Sequence, residues 1–159
     1  MEVAPQYVLR ESSPEDLGAI VALINRAFAV ERFFKTGDRT DAVGVGQMMQ
    51  NGPFLLLTDM AVLVACVFVK VTGERGYIGT LSVDPAWQRA GIGTRMMREA
   101  EDYLRAAGCK VVDIRIVSVR PELAPMYRKF GYIETGTQSA EAIRTATRPV
   151  HFITMSKQL

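Results

Sequence analysis

Apolar residues in this chain follow two different periods, and the places where the period changes divide it into elements. In "QYVLRESSPEDLGAIVALINRAF" a short strand leads to a helix with Ser13 as N-cap, Pro14 at its first position and Glu15 and Asp16 in its first turn. Leu17, Ile20, Val21, Ile24 and Phe28 form the apolar stripe of that helix. "AVERFFKTGDRT" breaks the period: Gly37 and Asp38 read as a turn, and Thr40 or Asp41 caps a second short helix running to about Gln50. From Pro53 to Val83 three strand-like runs, "PFLLLTD", "MAVLVACVFVKV" and "GYIGTLSV", follow one another as an antiparallel meander. The helical period returns after Trp87, with Ile92, Met96, Ala100, Tyr103 or Leu104, and Ala107 on one face and Gly108 at the C-cap. "KVVDIRIV" has the density of Val and Ile expected of a buried parallel strand. "RPELAPMYRKFGY" predicts a short helix from near Pro121 to Gly131, and "RPVHFITMSK" a last strand. The intervening "ETGTQSAEAIRTATRP" reads as a loop or a long hairpin connection. The pattern predicts one α/β domain over residues 1–159, built on a mixed sheet.

Composition narrows the function classes. Hydrophobic residues are 48 % and charged ones 23 % of 159 residues, the balance of a packed globular chain rather than a disordered one. The net charge of +2 comes without a concentrated basic patch, so no nucleic-acid partner is expected. The longest apolar run, Met60 to Val69, is about half of the roughly 20 residues a spanning helix needs, and the N-terminus lacks a signal-peptide pattern; a cytoplasmic protein without membrane contact is expected. Cys66 and Cys109 sit in apolar runs and read as reduced core residues, and His151 has no second ligand with which to hold a metal.

The chemistry-bearing feature is the turn "WQRAGIGT", where the strand "YIGTLSV" passes into a helix. A helix start leaves its first N–H groups unpaired and places partial positive charge there. Glycines let a phosphate approach such a main chain closely, while Arg89 and Thr94 offer a charged and a hydroxyl contact. The turn is not a dinucleotide motif, because the third glycine is replaced by Met96, and it lacks the Gly-Lys-Ser/Thr ending of a P-loop.

"VDPAWQRAGIGTRMM" resembles the acyl-CoA-binding signature Gln/Arg-x-x-Gly-x-Gly/Ala of the GCN5-related N-acetyltransferases, and "APMYRKFGY" is similar to that family's second signature, a tyrosine followed by an aromatic-glycine-aromatic turn. With the order of strands and helices, the resemblance extends from Tyr7 to Met155. It implies an α/β (α+β) fold with a central mixed, mostly antiparallel sheet of six to seven strands and helices on both faces. It implies acetyl-CoA as co-substrate, its pyrophosphate on Gln88, Arg89, Ala90, Gly91, Ile92, Gly93 and Thr94, and main-chain groups of Leu81 and Val83 for the pantetheine arm. The implied reaction is direct acetyl transfer to a primary amine of a small molecule or peptide, without a metal, in a ternary complex.

By the same resemblance Tyr127 is the general acid for the departing thiolate, since a phenol near pKa 10 is protonated at neutral pH. Glu31 is the first candidate for the base and Asp38 the next, with a water chain to bulk solvent as the other route for the proton. The segment around Glu31 also holds Phe33, Phe34, Asp38 and Arg39 as candidate substrate-binding residues; a carboxylate-bearing acceptor would pair with Arg39, an amine-rich one with Glu31 and Asp38. Where many relatives have an asparagine several residues before the tyrosine, this chain has Arg120 followed by Pro121. Dimerisation is common in the family, so a homodimer is among the expectations. The competing reading is an acyl-CoA-binding sensor or interaction module without transfer chemistry.

Overall fold

The computed structural model describes residues 4–88, 90–140, 143 and 145–159. Among the described residues seven strands and four α-helices follow one another: β1 (Tyr7–Glu11), α1 (Leu17–Ala27), α2 (Ala42–Asn51), β2 (Phe54–Asp59), β3 (Val62–Thr72), β4 (Arg75–Val83), α3 (Ile92–Ala106), β5 (Val111–Val117), α4 (Leu123–Lys129), β6 (Ile133–Ser139) and β7 (His151–Gln158). The strands form one sheet in the order β1-β2-β3-β4-β5-β7-β6. Every neighbouring pair is antiparallel except β4 and β5.

Local chemistry explains the boundaries. Asp16 accepts the Ser13 N–H at 2.8 Å, and Pro14–Asp16 form a 3-10 turn before α1 proper begins. Of the two candidate caps for α2, Asp41 is the one used, its carboxylate accepting the Gly44 N–H at 2.8 Å. The broken period after Phe28 is a 3-10 helix, Phe28–Phe33. Met60 and Ala61, both at positive φ, close the two-residue hairpin between β2 and β3. Gly108, at φ 91, ends α3 as its position predicts.

Alternation of side chains sorts the sheet into two layers. Leu55, Leu57, Val67, Val69, Ile78, Val112 and Ile114 face α3, which buries Ile92, Met96, Met97, Ala100 and Leu104 against them. On the other face Leu56, Cys66 and Phe68 pack against Ile20, Leu23 and Ile24 of α1 and Val45 of α2. Both cysteines are buried and free, and burial pushes the Cys66 thiol up to about 12.

The sheet resolves two expectations. Of the two readings of the segment before the last strand, a loop or a long hairpin connection, the second is the nearer one: it contains β6, fully exposed along its length and antiparallel to β7. The strand "KVVDIRIV" is parallel to β4 over only three residue pairs and is otherwise an antiparallel partner of β7. Asp113 and Arg115 alternate with its buried residues because α1 and α2 cover β2, β3 and β4 but leave that face of β5 open. No helix among the described residues is long and apolar enough to cross a membrane.

Candidate active site

Strands β4 and β5 pair at Arg75↔Val111, Gly76↔Val112 and Tyr77↔Asp113 and then part, although β4 runs on to Val83 and β5 to Val117. The cause is visible on the other edge of β4. Between Cys66 and Phe68 the β3–β4 register shifts by one residue, and Thr80 takes φ 52, a left-handed conformation rare for a branched residue. This bulge turns the end of β4 away from β5. A cleft of about 1380 Å³ opens there, with Leu81 and Val83 on one wall and Ile114, Ile116 and Tyr127 on the other. Backbone groups of β4 that a parallel partner would have used face the gap.

The start of α3 forms the mouth of this cleft. Asp84 holds the preceding turn by accepting the Ala86 N–H at 2.9 Å and is itself paired with Arg26 at 3.0 Å. The Gln88 side-chain amide donates to the Val83 carbonyl at 3.3 Å. Gly91 is the N-cap residue at φ 74, a conformation that glycine adopts without strain. A Cβ at Gly91 or Gly93 would meet nothing within 4 Å, so both glycines open onto empty space that a longer side chain would fill. The amides of Ile92, Gly93 and Thr94 belong to the first turn of α3, where a helix offers its N–H groups no partner of its own, and Gln88, Gly91, Ile92, Gly93 and Thr94 all line the cleft. Such a cradle fits a diphosphate. Ala90 is exposed and is not among the lining residues. Arg89 lies outside the described residues.

Tyr127 projects from α4, whose Pro125 falls in the first turn, where a missing N–H removes no helix bond. Its ring meets Tyr132 edge-on at 6.0 Å and Phe130 at 6.2 Å. The hydroxyl makes no hydrogen bond to a described residue, and burial pushes its pKa up to about 12 against the opposing charge of Arg120. Behind it lies an ion pair: Lys157 of β7 donates to both oxygens of the buried Glu101 on α3, at 2.7 and 2.9 Å. The Lys157 ammonium stands 5.8 Å from the centre of the Tyr132 ring. The buried Tyr132 hydroxyl has no hydrogen-bond partner among the described residues, and desolvation drives its pKa strongly upward.

At the far end of the cleft Glu31 is 2 % exposed, and both of its oxygens are taken. Arg39 donates to one at 3.1 Å and Arg120 to the other at 3.3 Å. Arg120 also donates to Glu122 at 2.9 Å, and the Arg39 guanidinium lies 4.8 Å from the centre of the Phe28 ring. The structure thus brings Glu31 and Arg39 into the cleft that holds Tyr127, but with Glu31 engaged as an anchor. The other residues of that segment lie elsewhere. Phe34 is fully buried with Val117, Ala140 and Phe152, Phe33 is half exposed beside Arg148, and Asp38 is exposed and 3.7 Å from Arg32. None of the three lines the cleft.

Sequence reasoning missed Arg120 as a site residue and named it only where an asparagine was expected. No local signal connects it to Glu31, since 89 residues separate them. Thr80 was equally hidden, because its neighbours read as an ordinary strand.

A sheet split between two parallel strands, a glycine-capped helix facing the split and a tyrosine across it define an acyl-CoA-binding architecture. The sequence profile of the Acetyltransferase (GNAT) family matches residues 19–132, and the chain belongs to that family. Among curated proteins it is similar to glucosamine 6-phosphate N-acetyltransferase 1 of rice, Oryza sativa subsp. japonica, with 35 % identity over 78 residues, 49 % of this chain and 46 % of that one. A probable second rice glucosamine 6-phosphate N-acetyltransferase matches at 32 % identity over 85 residues, 54 % of this chain and 49 % of the relative. These matches thus span about half the length of the curated relatives. Among solved structures, the Escherichia coli ribosomal-protein-S18-alanine N-acetyltransferase shares the fold with a TM-score of 0.79 at 16 % identity, over 96 % of this chain and 94 % of that one. A Salmonella typhimurium structure solved with acetyl-CoA superposes with a TM-score of 0.70 at 17 % identity, over 96 % of this chain and 94 % of that one.

Proposed function

We propose that the protein is an acetyl-CoA-dependent N-acetyltransferase that acetylates a primary amine by direct transfer in a ternary complex. The observation that carries this reading is the position of Tyr127, on the wall of the same cleft whose mouth is the glycine-capped start of α3. Main-chain amides of Ile92, Gly93 and Thr94 hold the diphosphate of the thioester donor, and the open edge of β4 at Leu81 and Val83 receives its amide-bearing arm. When bound, acetyl-CoA supplies the activated acetyl group and a thiolate leaving group.

The chain's own residues manage the protons. Tyr127, protonated far above neutral pH, donates from its hydroxyl to the sulfur as negative charge develops there. Glu31 is occupied by two guanidinium groups, so its role is to place Arg39 and Arg120. The other cleft carboxylates are paired too, Asp113 with Arg75 at 2.7 Å and Glu122 with Arg120. The acceptor's proton therefore passes to water in the open cleft, the water-chain route read from the sequence. The names of the rice relatives give an amino sugar phosphate as their acceptor and that of the E. coli fold neighbour gives a protein alanine. A primary amine is common to both.

The test is to incubate the protein with acetyl-CoA and a panel of primary amines, following free thiol and acetylated amine together. Thiol release that depends on an amine and matches its acetylation supports transfer. Acetyl-CoA binding with no amine-dependent turnover across the panel favours the sensor module instead.

A further inference from the structure

We infer that Arg39 and Arg120 form a subsite for an anionic oxygen group, a carboxylate or a phosphate, carried by the amine acceptor. The inference rests on the transferase reading above and adds the class of acceptor.

Charge balance in the cleft is the starting point. Among its described lining residues are five cationic side chains, Arg39, Lys70, Arg75, Arg115 and Arg120, and three carboxylates, Glu31, Asp113 and Glu122. Each carboxylate already has an arginine partner. A second ammonium on the acceptor would find no free acid, and Asp38, the residue that would have received it, is exposed outside the cleft. An amine-rich acceptor is therefore disfavoured.

Glu31 converts this surplus into a site. One buried carboxylate holds two guanidinium groups, one on the segment between α1 and α2 and the other on the loop between β5 and α4. Arg120 also takes Glu122, so two guanidinium groups face two carboxylates; but Glu122 is 59 % exposed and screened by water, whereas Glu31 is buried, so the poorly solvated part of the cluster holds two cations against one anion. The arginine side chains are only 26 % and 17 % exposed, and the exposed part faces the cleft. Each uses a single Nη1 for Glu31, while Nη2 of both residues and Nε of Arg39 bond no other described residue. The Phe28 ring, its centre 4.8 Å from the Arg39 guanidinium carbon, restrains that side chain further. Free, oriented guanidinium donors of this kind suit a planar or tetrahedral oxyanion.

The position also serves the reaction. Arg120 lies close enough to Tyr127 for its charge to act on the phenol, so an acceptor held there by its anion is held near the acid. A positive wall disfavours a neighbouring ammonium and so favours the neutral amine that must attack.

The experiment compares matched primary amines that differ in one anion: alanine against alaninamide, and O-phosphoethanolamine against ethanolamine, with acetyl-CoA saturating. The wild type is expected to favour the anionic member of at least one pair by about tenfold or more in kcat/KM, and which pair responds tells carboxylate from phosphate. Arg39→Gln is expected to raise the KM of that member about tenfold or more, with the KM of acetyl-CoA and of the neutral member within about twofold. Propionate or inorganic phosphate, but not propionamide, should inhibit the wild type competitively against the anionic acceptor, a result independent of how the variant folds. Preference for the neutral members, equal losses on both members in Arg39→Gln, or acetylation of the neutral amines with none of either anionic amine overturns the anion subsite, whereas acetyl-CoA binding with no turnover of any amine counts against the transferase reading. Failure to bind acetyl-CoA at all counts against that reading too.

Discussion

Glu31 and Arg120 are 89 residues apart in the chain and meet through one hydrogen bond of 3.3 Å. The bond ties the segment after α1 to the loop before α4, beside the apolar cluster in which Phe34 of that segment meets Val117, Val119 and Leu123. Removing the Glu31 charge should loosen both arginines and leave a buried site with surplus positive charge. Glu31→Gln is expected to lower stability by roughly 1–3 kcal/mol and to raise the acceptor KM more than it changes kcat. Chemical denaturation with steady-state kinetics checks it; a large kcat loss with unchanged KM points to Glu31 as the base.

Tyr127→Phe should reduce kcat by roughly 10²-fold while acetyl-CoA affinity stays within about twofold, because the variant keeps the ring and removes only the proton. Burial raises the phenol's pKa, so its protonated form persists upward in pH. The kcat profile of the wild type should therefore show no loss attributable to this group below about pH 11. A steep alkaline fall near pH 8 that Tyr127→Phe abolishes would contradict the assignment.

Stability should decline at high pH for a related reason. Tyr127 and Tyr132 have folded pKa values raised by burial, so the folded protein holds protons that the unfolded chain releases near pH 10. Their contribution is complete below about pH 10 and is lost as pH rises toward the folded values. Denaturant midpoints should fall between about pH 10 and 12, and less steeply in Tyr127→Phe. Identical slopes for the two proteins would rule out Tyr127 as a cause.

The Glu101 and Lys157 pair behind Tyr132 should reveal itself by asymmetry. Lys157→Met leaves the Glu101 carboxylate buried at 6 % exposure without its cation, at an expected cost of about 3–5 kcal/mol. Replacing both, Glu101→Leu with Lys157→Met, should recover most of that loss. Additive losses in a double-mutant cycle would show that the two charges are not coupled.

These relationships differ in how far the chain announced them. The Asp41 cap, the Gly108 stop and the meander of β2, β3 and β4 are local, set by residues a few positions apart, and periodicity exposes them. The glycine turn before α3 was legible for the same reason. Strand β6 was not, because "IETGTQS" is exposed along its length and lacks the apolar alternation that marks a half-buried strand. Phe34 looked like a substrate contact in an irregular segment; only its contact with Val117 and Phe152, far away in sequence, makes it a core anchor. The pairing of Glu31 with Arg39 and Arg120 depends on chain crossings that a linear pattern does not encode.

The central claim is that the start of α3 binds the diphosphate of acetyl-CoA, and calorimetric titration of acetyl-CoA into three proteins tests it directly. Gly91→Ala keeps the left-handed backbone demand, at φ 74, and adds a methyl group into open space, so it controls for strain. Gly91→Glu adds bulk and negative charge where the helix dipole is positive. Micromolar binding by the wild type, retained within about tenfold in Gly91→Ala and abolished in Gly91→Glu, is the predicted result. Equal binding by all three, or none by folded wild type, would contradict it.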